Sequence, residues 1–338
     1  MRAAVLVRPG RIELQERPRP DPRPGEVLVR VRAVGVCGSD VHYFRDGRIG
    51  DLVVTGPLIL GHECAGEVVA HGAGVRAPAI GTAVAVEPGW PCRRCVLCKT
   101  GRYHLCRELT FLATPPDDGA LCEYLAVPAD FAHPLPPGMS MAAGAMIEPL
   151  AVGVHAARQG EVQPGDTVVI FGGGPIGLCA AMAARGLGAH AVYLAEPDAF
   201  RRERAIAFGV AAAFSPADGG LDALRRAAGD RVAAVIETSG APVAVQQACE
   251  VIGPGGRVVI VGFPPRDVPI NLTRLMAREA SIRTVWRYVN DHPLAIALAA
   301  RGLAPVEQLI THRYTLDRVQ LAMLEAGTPG RLKALVEL

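Results

Sequence analysis

The chain has 338 residues, half of them apolar, which is enough for two domains of ordinary size with substantial cores. Its 35 basic and 33 acidic residues leave a formal charge of +2, so nothing in the charge points to a nucleic acid or an anionic membrane as partner. Nine cysteines, an odd count with no signal peptide ahead of them, argue against a secreted disulfide framework.

Residues 1–35 read as strands and turns. The opening MRAAVLVRPG is a short apolar strand rather than a signal peptide, and with no other address visible the expected location is the cytoplasm. EVLVRVRAVGV alternates apolar and charged residues, as a half-buried strand does. It leads into GVCGSDVHYF, where Cys37 sits in a glycine-flanked turn, and later to Gly61-His62-Glu63. Thiolate, imidazole and carboxylate are zinc ligands, and a catalytic zinc takes about three of them plus an open position. Taken singly, the same residues also read as a buried cysteine and a core histidine. Strand-like segments ended by Gly and Pro continue to residue 90, so this part is expected to be β-rich and partly barrel-like.

PCRRCVLCKTGRYHLC then brings Cys92, Cys95, Cys98 and Cys106 close together. Four thiolates at such intervals close a tetrahedral zinc shell without an open position, which makes the role structural. The alternatives are free thiols or an iron–sulfur cluster, although the fourth cysteine has the wrong spacing for a ferredoxin run. Cys64, Cys122, Cys179 and Cys249 lie among apolar or small residues and read as small buried hydrophobes. MSMAAGAMIEPLAVGVHAARQG reads as helical at both ends with a break at Glu148-Pro149. The carboxylate there either points into a cleft or serves a helix dipole.

From Asp166 the period changes. DTVVIF is a continuous apolar run, as a buried parallel strand is. Gly172, Gly174 and Gly177, with Pro175 and Ile176 between the last two, form G-x-G-x-x-G at the start of a helix, where a pyrophosphate binds. The next strand, AVYLAE, ends in Glu196, about 20 residues on, where an acid binds a ribose hydroxyl. Its charge disfavours the extra phosphate of NADP, whereas Arg201 and Arg202 are able to accept one. Strands VAAVIET, GPGGRVVIVGF and SIRTVWRYV alternate with helices, which predicts a doubly wound parallel sheet. The expected α/β architecture is a first domain of residues 1–149 and 289–338, with a nucleotide-binding domain of 150–288 inserted.

GVCGSDVHY, DGRIGD, LGHECAGEVV, the four-cysteine lobe, FLATPPDDG, MIEPLAVGVHAAR, FGGGPIG and VWRYVN can now be taken as a set. Over essentially the whole chain they resemble the zinc-dependent medium-chain dehydrogenases, and the sorbitol (polyol) dehydrogenase branch in particular. The resemblance implies a β-rich GroES-like catalytic domain plus a Rossmann domain. It implies a catalytic zinc on Cys37, His62 and Glu63, with Glu148 binding directly or through a water; which glutamate is the ligand stays open. Ser39 and His42 fall at the proton-relay positions. Tyr43, Phe111, Arg287 and Tyr288, together with Glu148, match the substrate pocket. Ile176, Glu196, Arg201, Val261, Gly262, Phe263, Val285, Trp286 and Arg287 match positions lining NAD. Trp286 is a departure, since related enzymes often carry phenylalanine there.

The expected activity is oxidation of a secondary hydroxyl of a sorbitol-, xylitol- or iditol-type polyol to the ketose, with hydride transfer to NAD. The expected cofactors are NAD, one catalytic zinc and one structural zinc, in a homotetramer or dimer. The competing readings are a butanediol, threonine or simple alcohol dehydrogenase, and a non-catalytic nucleotide-binding protein without the catalytic zinc.

Overall fold

The computed structural model describes every residue except Asp218. The chain divides into two compact units, Met1–Glu148 with Val306–Leu338, and Pro149–Pro305. Among the described residues no helix is long and apolar enough to cross a membrane.

The first unit is built on a seven-stranded sheet whose organising member is Glu26–Gly35. This strand pairs antiparallel with Glu63–His71, with Tyr124–Pro128 and with the last strand of the chain, Lys333–Glu337. The strand is buried more fully than a half-buried alternation suggests, since Leu28 and Ala33 are buried too and register shifts at Leu28/Val29 and Val31/Ala33 interrupt the period. Val27, Val29, Val31 and Val34 are buried in the core with Leu6, Val68, Val84 and Leu121, while Arg30 faces out. A smaller sheet of Arg2–Arg8, Arg11–Glu16 and Leu58–Ile59, and two-stranded pairs of Gly89–Trp90 with Thr110–Phe111 and of Arg48–Ile49 with Leu52–Val53, are the other β elements of this unit.

Two local departures from the sequence reading have clear causes. Cys37 does not sit in a simple turn: it is the N-cap of a nine-residue helix, Gly38–Asp46. The Asp40 carboxylate accepts the Cys37 N–H at 3.0 Å, closing the first turn in the manner of a capping box. Nor is the helical stretch around residue 148 broken at Glu148-Pro149. Its helices are Met141–Ala145 and Ile147–Gln159, so the break falls at Met146. Pro149 lies in the first turn of the second helix, where a missing N–H removes no intrahelical bond.

The second unit carries a six-stranded, all-parallel sheet. Its spatial order is Ala212–Phe214, Ala191–Ala195, Thr167–Phe171, Val232–Glu237, Arg257–Ile260 and Ser281–Thr284. In chain order that is 3-2-1-4-5-6, the doubly wound arrangement whose ligand crevice opens at the carboxyl ends of the strands. The last strand stops at Thr284, short of the WRYV that the sequence suggests. The unit also extends beyond residue 288, because helix His292–Ala300 buries Ala295, Ile296 and Leu298 within it. A Cβ built on Gly186 would lie 2.7 Å from Leu298 Cδ2, which shows how closely this helix meets Pro175–Gly186.

Helices Ile147–Gln159 and Pro175–Gly186 also pack at a glycine. A Cβ on Gly153 would fall 2.5 Å from the Cys179 carbonyl carbon, and backbone cannot yield as a side chain can. Gly153→Ala is therefore expected to destabilise the protein by about 1–3 kcal/mol through overpacking. Denaturant unfolding checks this, and a midpoint equal to that of the parent would contradict the close approach.

Candidate active site

In the first unit, adjacent strands bring the proposed ligands together. Glu63 opens the strand Glu63–His71 and stands opposite Gly35 on Glu26–Gly35. A ligand atom from each of Cys37, His62 and Glu63 lies within 4.8 Å of the other two. Glu63 is fully buried, and its two oxygens have different surroundings. Oε1 accepts a hydrogen bond from Lys333 Nζ, whereas Oε2 is buried with no hydrogen-bond partner. Buried carboxylate oxygens are rarely left so. An orphaned oxygen beside a thiol and an imidazole fits a divalent metal of zinc's ligand preference. Gly35 makes this possible, since a Cβ there would lie 2.1 Å from Glu63 Oε2.

The surrounding groups tune this cluster. Asp40 is fully buried; one oxygen accepts the Gly61 N–H at 2.9 Å and lies 3.6 Å from His62 Nδ1. The Asp40 contact thus occupies the Nδ1 side of His62 and leaves Nε2 for a metal, the arrangement of a carboxylate–histidine–zinc triad. Burial disfavours both charges, but their mutual attraction wins. His62 is held well above its ordinary pKa, with Cys37 adding to the effect, and Asp40 is held below its own. Burial likewise works against the Lys333 ammonium, and the Glu63 carboxylate beside it raises its pKa instead. Glu148, in the first turn of Ile147–Gln159, is buried outside the three-ligand group. Its charge still reaches Lys333 and Cys64.

The helix Gly38–Asp46 carries the remaining early residues. Ser39 and His42 are three apart, so they share a helix face. His42 is largely exposed, with Nδ1 3.3 Å from Asp46 Oδ2. Tyr43 is buried, as is Phe111, whose ring centroid is 5.7 Å from that of His62.

In the four-cysteine lobe a short helix, Val96–Lys99, starts from Cys95. Sulfur separations are 3.4 Å for Cys95–Cys98, 3.9 Å for Cys92–Cys98 and 3.9 Å for Cys95–Cys106. A tetrahedral zinc with ordinary Zn–S bonds requires about 3.8 Å between sulfurs. Backbone N–H groups of Arg94 and Cys95 lower the Cys92 thiol to about 7, which favours the thiolate a metal needs.

The second unit holds the other set. Gly172 takes φ +97°, a conformation that favours glycine. A Cβ on Gly177 would lie 1.8 Å from the Gly172 oxygen. Gly174 caps the helix and Pro175 opens it, with Ile176 half-buried behind. Glu196 is buried just past its strand and accepts the N–H groups of Gly173 at 2.6 Å and Asp198 at 2.9 Å. Arg201 lies 3.9 Å from Glu196, while Arg202 is turned onto the carbonyls of Glu196 and Pro197. The N–H groups of Val261 and Gly262 both bond the Glu237 carbonyl, leaving Phe263 exposed. Phe263 and the partly exposed Trp286 meet edge to face at 5.6 Å. Val285 is buried; Arg287 lies over the Trp286 ring at 5.2 Å; Tyr288 is buried against His292.

Family comparisons agree with these two halves. Residues 23–137 match the alcohol dehydrogenase GroES-like domain, and residues 175–301 match the zinc-binding dehydrogenase domain. The chain belongs to the zinc-dependent medium-chain dehydrogenases, oxidoreductases that work with zinc and NAD. It is 41% identical to the sorbitol dehydrogenase of Bacillus subtilis, covering 96% of this chain and 93% of that one. It is 38% identical to a probable D-xylulose reductase A of Aspergillus clavatus, covering 96% and 93%. A solved Escherichia coli oxidoreductase/dehydrogenase of unknown specificity superposes with TM-score 0.94 at 35% identity, covering 99% and 98%. Within the family the chain stands in the sorbitol dehydrogenase branch.

Two site residues escape a sequence reading. Asp40 was signalled by its place three residues after Cys37, the spacing of a capping box. Lys333 is one of only two lysines in a chain that otherwise uses arginine, and it reaches Glu63 from the far end of the sequence. Removing a hydrogen-bonded partner from a metal-bound histidine typically weakens metal binding about 10–100-fold. Asp40→Asn is expected to release one zinc to a chelator at correspondingly lower concentration, with the cysteine-lobe zinc unchanged as internal control. Parent-like release of both would contradict the assigned role of Asp40.

Proposed function

We propose that the protein oxidises a secondary hydroxyl of a sorbitol-, xylitol- or iditol-type polyol to the ketose, with NAD as hydride acceptor. The observation that carries this reading is the orphaned Glu63 Oε2 beside Cys37 and His62, next to the helix that bears Ser39 and His42. When bound, the metal would supply Lewis acidity at the hydroxyl and the nicotinamide would be the hydride acceptor. Cys37 Sγ, His62 Nε2 and Glu63 Oε2 would hold the metal, with Asp40 and Lys333 orienting His62 and Glu63. Glu148 stands by as a water-holding or alternative ligand. Ser39 Oγ accepts the hydroxyl proton and passes it to His42, whose exposure permits exchange with solvent. The protein's own part is thus to take the hydroxyl proton to solvent; a bound NAD would accept the hydride from the same carbon and leave a carbonyl.

In the first unit Tyr43, Phe111 and Glu148, and in the second Arg287 and Tyr288, are the residues whose chemistry suits substrate contact, Glu148 and Arg287 being suited to a polyol's hydroxyls. The names of the relatives support a polyol or ketose as substrate. Cys92, Cys95, Cys98 and Cys106 hold a closed, structural zinc. Gly172, Gly174, Pro175, Ile176 and Gly177 receive the pyrophosphate, with Val261, Gly262, Phe263, Val285 and Trp286 along the rest of the dinucleotide. NAD is favoured over NADP because Glu196 is buried and held by two backbone donors. Arg201 and Arg202 are both engaged with residues 196 and 197. The same reading makes the protein a cytoplasmic homotetramer or dimer.

A panel of sorbitol, xylitol, butanediol, threonine and ethanol, each with NAD and NADP, tests the proposal. The expected result is the highest kcat/KM for a polyol with NAD. Preference for threonine or ethanol would overturn the substrate assignment, and preference for NADP would overturn the reading of Glu196.

A further inference from the structure

Asp291 precedes the helix His292–Ala300, a position from which an aspartate side chain commonly caps the first free N–H groups. It makes no such bond. Its Oδ2 accepts the Val289 N–H at 3.0 Å and lies 2.8 Å from His155 Nδ1, and its Oδ1 accepts from Arg158 at 2.5 Å. The carboxylate has no exposed surface. A buried charge is tolerated only when well paired; here the Val289 N–H closes the turn on itself, and His155 and Arg158 tie it to helix Ile147–Gln159.

The segment just before Asp291 is one that needs holding. Arg287 and Asn290 both adopt left-handed backbone, with φ of 62° and 56°. Non-glycine residues persist there only where their surroundings over-determine the conformation. Tyr288, between them, is buried and packs edge-on against His292 at 5.0 Å. The strained turn carries Trp286, Arg287 and Tyr288 together. Burial alone would push the Asp291 pKa up, but hydrogen bonds from His155 and Val289 outweigh it and keep the group ionised.

We infer that Asp291, anchored by His155 and Arg158, is the positioning residue that sets the Trp286–Arg287–Tyr288 turn, and through it the preference for a polyol over a simple alcohol. The second half of this statement rests on the substrate reading above; the first half does not.

The experiment uses a Trp90→Phe background, in which Trp286 is the sole tryptophan. Asp291→Asn and Arg158→Met are compared with that parent by Trp286 emission and acrylamide quenching. They are also compared by kcat/KM at saturating NAD for xylitol and for propan-2-ol. Misplacing substrate contacts by about 1 Å costs about a hundredfold. Asp291→Asn is expected to shift Trp286 emission and to lower kcat/KM for xylitol by about that factor, with propan-2-ol changed less than about threefold. Arg158→Met, which removes one half-exposed partner, should move both readouts the same way by a smaller amount. Unchanged emission together with an unchanged xylitol to propan-2-ol ratio would overturn the proposal. If Asp291→Asn does not fold, Arg158→Met decides by the same two readouts. A shift in Trp286 emission in an enzyme that turns over no polyol would uphold the latch and overturn the substrate reading instead.

Discussion

Glu63 is the constraint on which the first unit turns. It is a fully buried carboxylate with one oxygen on a buried lysine and the other without a hydrogen-bond partner. Lys333 balances the charge, but the second oxygen remains a desolvated acceptor, a situation that buried polar groups seldom keep and that a metal of zinc's ligand preference would relieve. The fold supplies the lysine and leaves the second place for a metal. Three neighbouring strands are needed for this: Glu63 begins one, Gly35 ends the next, and Lys333 begins the third. Any side chain on Gly35 would occupy the space of Oε2.

The Asp40 carboxylate extends the same logic. It closes the first turn after Cys37, fixes the backbone at Gly61 and faces His62. One buried acid therefore ties the backbone of Cys37, at a helix N-cap, to that of Gly61, beside His62. The ligands need no long-range order of their own, because Asp40 binds both backbones. In the second unit a comparable economy appears at Glu196. Its carboxylate accepts the backbone N–H groups of Gly173, in the glycine turn, and of Asp198, just past its own strand, so one buried acid ties the two turns together.

Chemistry written in local spacing was legible from the sequence. The four cysteines, the glycine turn with its following acid, and the Cys37 and His62-Glu63 pair lie in short stretches whose residue types have few alternative uses. The β-rich first part and the parallel sheet were legible for a related reason, since period-2 alternation and continuous apolar runs bury different numbers of faces. What was not legible lay in pairings across the chain. Lys333 meets Glu63 over 270 residues, and Asp291 meets His155 over 136, with no spacing rule to announce either. Local misreadings had local causes. Cys37, between Gly35 and Gly38, reads as part of a turn, whereas the Asp40 carboxylate on its N–H makes it a helix N-cap. Pro149 looked like a helix breaker, although the first turn of a helix accepts proline.

The central claim is that the chain holds two chemically different zincs, one closed by four thiolates and one bound by a single thiolate with His62 and Glu63. X-ray absorption at the zinc edge measures this directly on the purified protein. The account predicts two zinc ions per chain and an averaged shell of about five sulfur scatterers per two zincs at ~2.3 Å, the rest being nitrogen or oxygen at ~2.0–2.2 Å. A single zinc per chain with an all-sulfur shell would contradict it.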